Sequence, residues 1–142
     1  GLSQLKRLDQ MIAARQSIAQ FYFEKLKNFE CLELPMDTTD RQSSWHLFPL
    51  RLNLEKLSVS RDDFLKALRA ENIWAQIHYM PVYWHPYYQQ LGYSQGLCPV
   101  AEREYQREIS IPIFPSMTDQ DLQDVVSALE KLSESFLLPS AI

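Results

Sequence analysis

The sequence predicts a small mixed α/β domain of the α+β type, with a long N-terminal helix and helices on one face of a mostly antiparallel sheet of three to four strands. Residues 2–28 carry an apolar stripe at helical spacing. Residues 43–54 alternate in the manner of a strand. Residues 60–132 mix two capped helical patterns with short apolar runs. This order, one long helix followed by mixed strands and helices, predicts the fold class.

The first helix is predicted over residues 2–28, where neither glycine nor proline interrupts the pattern. Arg15 falls on its apolar stripe, which otherwise comprises Leu5, Leu8, Ile12, Ala19, Tyr22 and Leu26. The pattern begins almost directly after Gly1, without a linker. We therefore expect the chain to be part of a longer polypeptide, unless Ser3 caps the helix.

The next elements are two strands, a helix and a third strand. Short alternations predict strands over residues 31–34 and 43–54, and Pro49 favours an edge position or a bulge for the second. A capping sequence opens a helix over residues 60–70. Residues 72–78 alternate again and are predicted to form a strand.

The second half continues with short elements. We predict a helical turn over residues 86–91 and a helix over residues 98–108 with proline at its first position. Residues 109–113 form a short apolar strand, and a second capping sequence opens the last helix, over residues 118–132. The tail, residues 134–142, is expected to be flexible.

Composition argues against several classes of protein. The net charge of −4, without a basic cluster, argues against a nucleic-acid or anionic-membrane partner. No apolar run approaches the roughly 20 residues that span a bilayer. With three glycines, the chain lacks a Walker loop and a GxGxxG fingerprint. Cys31 and Cys98 have no CxxC spacing, and we expect free thiols in a cytoplasmic protein.

The most informative feature is residues 78–88, here called the aromatic segment. Two histidines, four tyrosines and a tryptophan fall within it, together with two prolines. Such rings offer flat apolar faces and a hydrogen-bonding edge, which suit sugar rings and planar bases. The segment also leaves the end of a predicted strand, where ligand loops often lie. We therefore predict a ligand-binding loop with the contact residues His78, Tyr79, Tyr83, Trp84 and His85.

Several of these residues also have a structural interpretation. His78 fits a strand-end histidine satisfied by backbone groups, and Tyr87 and Tyr88 fit the packing of the following turn. His46, inside a predicted strand, is interpreted as a core or interface histidine. The three histidines lack short metal-ligand spacing, so no metal site is predicted. The dipole of the last helix explains the acidic residues at 119–124.

Five motifs occur in order along the chain and together resemble the C-terminal part of the sugar-nucleotide aminotransferases of the DegT/DnrJ/EryC1/StrS family. They are GLSQLKRLD at residues 1–9, SSWHLF at 43–48, HYMPV at 78–82, CPVAE at 98–102 and ISIPIFPSMTD at 109–119. The aromatic segment is most similar to the branch of the family that makes the 4-amino sugar precursor of pseudaminic acid. Many relatives carry a second histidine at the position of Tyr83.

The resemblance implies a parent enzyme with the aspartate-aminotransferase-type fold and pyridoxal phosphate (PLP). The parent would act as a cytoplasmic homodimer and move an amino group from glutamate to the 4-keto group of a nucleotide-linked deoxysugar, with UDP as the expected nucleotide. Residues 1–133 would be its small C-terminal domain, and the helix over residues 2–28 the seam to a large domain. By the family pattern, His78 and Tyr79 face the substrate near the dimer interface. Tyr83, Trp84 and His85 either stack on the nucleotide or pack the loop onto the large domain.

The resemblance places no catalytic residue in this chain. A lysine must hold PLP, but no lysine here lies in a motif like the family's cofactor-lysine segment. We expect the chain alone to bind no PLP, to have no transaminase activity and to dimerise through its first helix. The alternative is a stand-alone carbohydrate- or nucleotide-binding module without catalysis.

Overall fold

Residues 2–139, which a computed structural model describes, contain six α-helices and three strands. Gly1 and residues 140–142 of the expected tail lie outside the described residues. The helices are α1 (Leu2–Leu5), α2 (Leu8–Leu26), α3 (Arg61–Ala70), α4 (Pro86–Gln90), α5 (Pro99–Arg107) and α6 (Asp119–Phe136), and the strands are β1 (Leu32–Glu33), β2 (Phe48–Leu52) and β3 (Glu108–Ile111). Within this part of the chain, no helix is both long and apolar enough to cross a bilayer.

The strands form an antiparallel sheet in the order β1–β2–β3, which confirms the predicted small antiparallel sheet. Side chains alternate along β2, because successive residues of a strand point to opposite faces. Phe48, Leu50 and Leu52 are fully buried, while Pro49 and Arg51 between them are half-buried. The core therefore lies on the face of the sheet that carries the three apolar side chains.

Helices α2, α3 and α6 surround this core. Phe64 and Leu68 of α3 and Leu129 of α6 are fully buried, as their apolar spacing predicts. Tyr22 of α2 packs its ring 5.2 Å from that of Phe48. Its hydroxyl donates a 2.8 Å hydrogen bond to the carbonyl oxygen of Pro112, just beyond β3. This bond satisfies the buried polar tip and ties the first helix to the end of the sheet.

Helix α5 contacts the opposite face. The Arg51 guanidinium binds the Glu104 carboxylate at 2.6 Å. Arg107 binds both Glu104 and Glu33, each at 2.8 Å. These side chains are partly solvent-exposed, so each pair contributes little to stability. Their consequence is geometric, because they fix α5 against the outer side of β2.

The first predicted helix is wrong in one respect: it is broken. Helix α1 ends at Leu5 and α2 begins at Leu8, with a turn between them closed by a 3.0 Å bond from Arg7 N–H to the Gln4 carbonyl oxygen. Leu2, Leu5 and Leu8 are exposed, at 75%, 64% and 43%. No packing contact therefore holds the first turn in line with the rest of the helix.

The second predicted strand is shorter than its alternation indicated. Pro49 lies neither on an edge strand nor in a bulge, since β2 is central and pairs with β3 in regular register. Trp45 has a positive φ of 46°, which turns its ring into the core beside Phe23 and Phe48, each 5.4 Å away. Strand β2 lies in the centre of the sheet and still tolerates Pro49, because β1 pairs only with Arg51 and Leu52. Nothing on that side requires the missing N–H.

The strand predicted over residues 72–78 is also wrong. Gln76 and Ser110 exchange backbone hydrogen bonds of 3.0 and 2.7 Å as an isolated bridge. The next outward donor, His78 N–H, binds the Glu108 carboxylate at 3.0 Å instead of a backbone carbonyl. This side-chain bond ends the ladder. The predicted alternation of burial is confirmed, since Ile73 and Ala75 are buried and Trp74 is exposed.

The capped helices are confirmed. The hydroxyl of Ser60 accepts from Asp63 N–H, and Thr118 with Asp121 forms a complete capping box. Helix α6 continues past its predicted end at residue 132, because Ser133 is buried and the Phe136 ring packs 6.1 Å from that of Phe64. Beyond the helix, Leu138 N–H donates to the Lys56 carbonyl oxygen at 2.9 Å.

Candidate functional site

His78 is held at the edge of the sheet by its backbone. Glu108 accepts from His78 N–H through one carboxylate oxygen, and from the Ser110 hydroxyl at 2.7 Å through the other. Both acceptors of the carboxylate are therefore used to fix the point where the aromatic segment leaves the sheet. The prediction that the segment leaves the end of a strand is wrong, because an isolated bridge between Gln76 and Ser110 stands in place of that strand.

An open cleft of about 690 Å³ lies beside His78. Its walls come from residues 71–78, from β3 and the turn that follows it, and from one side of α6. Its volume lies within the roughly 300–1,000 Å³ of small-molecule sites. The side chains that give it chemical character are His46, Glu71, Trp74, His78, Phe114, Asp121 and Asp124.

The cleft has an acidic and aromatic lining. Asp124 accepts a 2.8 Å bond from the Gln120 amide, and Asp121 completes the cap of α6, which lowers its pKa through the bonds from Thr118. No lysine or arginine lines the cleft within residues 2–139. The cleft therefore suits hydroxyls, amides and apolar ring faces better than phosphates.

His78 and Tyr79 combine a buried polar atom with an exposed ring. The Nδ1 atom of His78 is buried and has no hydrogen-bond partner among the described residues, and such atoms are exceptions in folded proteins. Tyr79 is 76% exposed, and its ring meets that of His78 edge to face at 4.7 Å. His78 lines the cleft and the exposed Tyr79 ring packs against it, so the pair offers a flat aromatic surface beside the cleft.

Tyr83 is engaged within the domain. Its hydroxyl donates a 2.7 Å hydrogen bond to Oε1 of Glu102, on the first turn of α5. Partial burial and this bond raise the pKa of Tyr83 to about 12. The same bond, together with a backbone donor from Gly96, lowers the pKa of Glu102. At neutral pH the tyrosine is therefore the donor and the carboxylate the charged acceptor.

Trp84 also contacts α5. Its ring meets the Tyr105 ring edge to face at 5.4 Å, and the Arg61 guanidinium lies 4.9 Å from the centre of Tyr105 on the same stack. The Trp84 N–H lies close enough to Glu102 to help lower the pKa of that carboxyl, but it is not in hydrogen-bonding geometry. Both rings at positions 83 and 84 thus pack the loop onto its own domain.

His85 is exposed and begins the short helix α4 with its backbone. The rings of Tyr87 and Tyr88 pack against each other at 5.3 Å, and Tyr88 also contacts Tyr93 at 6.2 Å. Gly92 closes the turn with a φ of +92°. The five predicted contact residues therefore separate into two groups. His78, Tyr79 and His85 are available to a ligand, and Tyr83 and Trp84 are held by α5.

The sequence interpretation missed part of the cleft. His46 was interpreted as a core or interface histidine. It is exposed at the cleft, which excludes the core, because the turn at Trp45 reverses the alternation. Asp124 also lines the cleft, although the sequence interpretation attributed its presence to the helix dipole alone. No local sequence pattern could place His46 beside His78, because the two residues are far apart in the sequence. Among the described residues, no group of three side chains is placed to hold a metal ion.

The chain does not supply a site that fits PLP. All six lysines are exposed, and none lines the cleft. A lysine that forms a Schiff base must instead lie inside a pocket beside the reacting group. Cys31 is buried and Cys98 is exposed, and both are free thiols as predicted.

Solved structures of sugar aminotransferases contain a domain with the same α+β fold. Helicobacter pylori PseC, an aminotransferase involved in the biosynthesis of pseudoaminic acid, matches with a TM-score of 0.87 and 30% identity, over 96% of this chain and 36% of that chain. Spr1654 of Streptococcus pneumoniae, solved in its PLP form, matches in fold with a TM-score of 0.85 and 23% identity, over 95% of this chain and 34% of that chain.

The chain belongs to the DegT/DnrJ/EryC1/StrS aminotransferase family, whose model matches residues 1–130. The spore coat polysaccharide biosynthesis protein SpsC of Bacillus subtilis is 40% identical to it over 93% of this chain and 34% of its own length. The chain thus spans about one third of the length of the curated relatives it matches. The resemblance stated from the sequence is confirmed at the level of the family and fold.

Proposed function

We propose that this chain is the C-terminal part of a PLP-dependent aminotransferase that moves an amino group from glutamate to the 4-keto group of a nucleotide-linked deoxysugar. The observation that carries the proposal is the family match over residues 1–130 in a chain that spans one third of its relatives. The similarity to PseC, an aminotransferase involved in pseudoaminic acid biosynthesis, supports a sugar of that type, and UDP is the nucleotide we propose. The free thiols agree with a cytoplasmic enzyme.

In this proposal the chain supplies one wall of the substrate site. His78 and Tyr79 face the sugar at the mouth of the cleft, because a ring face and a hydrogen-bonding edge match a pyranose with its hydroxyls. His85 extends the same wall. The acidic lining makes the cleft unsuitable for a diphosphate, so the cations that neutralise the nucleotide's phosphates lie in another part of the polypeptide.

In this proposal no residue of this chain holds PLP or takes part in its chemistry. The lysine, the acidic partner of the cofactor ring and the phosphate site belong to the preceding part of the parent enzyme in this proposal. What this chain contributes is orientation of the substrate and exclusion of water from one side. Orientation alone is a large part of enzymatic rate enhancement.

The exposed leucines at positions 2, 5 and 8 form an apolar strip that agrees with a seam to another domain or subunit. We expect the chain to self-associate through this strip. Leu5→Glu should shift sedimentation velocity profiles at high concentration toward monomer, because it places a charge in the apolar contact. The matched control is Leu91→Glu, which changes an equally exposed leucine in the turn after α4. A clean monomer for the unaltered chain would contradict the expectation, as would dissociation by the control alone.

The proposed function is tested with the polypeptide that the gene encodes. Supplied with PLP, glutamate and a UDP-linked 4-keto-6-deoxysugar, that polypeptide should form the 4-amino sugar, and the chain of residues 1–142 should not. A gene without further coding sequence before Gly1, together with binding of a UDP-sugar by the chain alone, would overturn the proposal. The result would then favour the stand-alone binding module.

A further inference from the structure

Glu102 of α5 holds two distant points of the loop that carries the aromatic side chains. This loop, residues 81–98, is called the outer segment. Glu102 Oε1 accepts from the Tyr83 hydroxyl at 2.7 Å, near the beginning of the segment. Both carboxylate oxygens accept from Gly96 N–H, at 2.7 and 3.0 Å, near its end. The carboxylate therefore closes the outer segment across its base.

The partners of Glu102 distinguish it from an ordinary surface carboxylate. Among the described residues it forms no ion pair, and all its side-chain bonds go to the outer segment. Its position on the first turn of α5 stabilises its negative charge through the helix dipole. Gly96 has a φ of +90°, with free space around the position of a Cβ atom. Glycine there permits the left-handed backbone that aims its N–H at Glu102.

Tyr105, three residues after Glu102, provides the adjoining contact. Glu102 and Tyr105 lie next to each other on one side of α5, because residues three apart are neighbours on a helix. Glu102 binds Tyr83, and Tyr105 packs on Trp84. Arg61 fixes Tyr105 from the other side, with its guanidinium over the ring and a hydrogen bond to the Tyr105 carbonyl oxygen.

With Tyr83 and Trp84 attached to α5, the side chains next to them in sequence are exposed to solvent. Tyr79 and Val82 are exposed at 76% and 59%, and His85 is exposed as well. These residues lie on both sides of the two anchored rings. The anchor at Glu102 therefore fixes the segment that carries Val82 and His85, which follows the cleft residue His78 along the chain.

We propose that Glu102 is a positioning residue for the substrate wall, which acts through Tyr83 and Gly96 to hold the outer segment in the orientation that selects the sugar. The inference rests on the proposed function for its consequence in catalysis, but not for the anchoring itself. Glu102 touches no ligand in this account. Its effect on specificity passes through the residues that it holds.

The anchoring is tested first, by amide hydrogen exchange on the chain of residues 1–142. Glu102→Gln should raise exchange in peptides of residues 81–98 by about tenfold. The glutamine amide is uncharged, and its N–H group cannot accept the hydrogen bond from Gly96 N–H. Tyr83→Phe should give a smaller rise in the same peptides. The double variant should show little more exchange than Glu102→Gln alone, because both changes act on the same hydrogen bond between Tyr83 and Glu102. The control is Glu130→Gln, the same change at an exposed glutamate of α6.

Exchange in β2 and β3 should stay unchanged in all variants. If exchange in residues 81–98 is unaltered in Glu102→Gln, or rises equally in the strands, Glu102 does not position the segment and the inference is overturned. This result is independent of catalysis, so it can fail while the proposed function stands.

The consequence is tested in the polypeptide that the gene encodes. Glu102→Gln should raise the KM for the nucleotide sugar about tenfold, while the half-reaction with glutamate alone keeps its rate. A merely structural role would impair both. Increased exchange with an unchanged KM would show that the outer segment is not a substrate wall, which would overturn this inference. Absence of amination in the unaltered polypeptide would refute the proposed function and leave the exchange result to decide the anchoring.

Discussion

Replacing His78 by alanine in the polypeptide that the gene encodes should lower kcat/KM for the nucleotide sugar by about 10- to 100-fold. The backbone of His78 is fixed by Glu108, so the imidazole stands at a defined point of the cleft. The half-buried His78 ring lines the cleft, so its removal takes away a contact surface for the bound sugar. Removal of the ring also takes away the face against which Tyr79 packs.

Two further variants separate the role of the ring from damage to the fold. His78→Asn keeps a polar atom near the position of Nδ1 and should recover part of the lost activity. Tyr87→Ala removes an exposed ring of the same segment that packs only against Tyr88 and should leave kcat/KM unchanged. Equal losses in His78→Ala and Tyr87→Ala would mean that the segment as a whole is disturbed. Full activity in His78→Ala would remove His78 from the substrate site.

The helices of this domain could be predicted because each carries a local signal. Ser60 and Thr118 cap α3 and α6 through bonds to residues three positions later, and both partners are visible in the sequence. The buried stripe of α6 follows the same logic, since its spacing depends only on the helical repeat. Such features do not need the rest of the fold to decide them.

The strands depended on partners that the sequence does not show. Residues 72–78 alternate as a strand does, but Glu108 captures the His78 N–H with its side chain and ends the pairing after one bridge. Pro49 indicates an edge when taken alone, but the short reach of β1 leaves its position free in a central strand. In both cases the outcome depends on hydrogen bonds between residues distant in sequence, and the periodicity of one segment carries no information about them.

The candidate site was predictable in place but not in detail. The density of rings in the aromatic segment led to His78 and Tyr79, and the cleft beside them agrees with a ligand-facing role as a proposal. The binding of Tyr83 to Glu102 could not be foreseen, because it depends on how α5 folds back over the segment. His46 lines the cleft because the chain turns at Trp45, and the alternation of residues 43–54 does not predict this turn.

We propose that this chain supplies a substrate wall and not the cofactor site of a parent enzyme. Its six lysines are all exposed and lie outside the cleft. A lysine that binds PLP as a Schiff base needs a pocket that holds the ring and the phosphate. PLP added to the chain of residues 1–142 should therefore react only weakly and without saturation, as it does with any surface amine.

The most direct measurement is a titration with PLP, followed by visible absorbance, of the chain of residues 1–142 and of the polypeptide that the gene encodes. No saturable absorbance is expected for the chain alone. The polypeptide that the gene encodes should give a saturable signal of one PLP per subunit, which is lost when glutamate is added. A saturable one-to-one signal from the chain alone, or its absence from the encoded polypeptide, would contradict the proposed role of this chain.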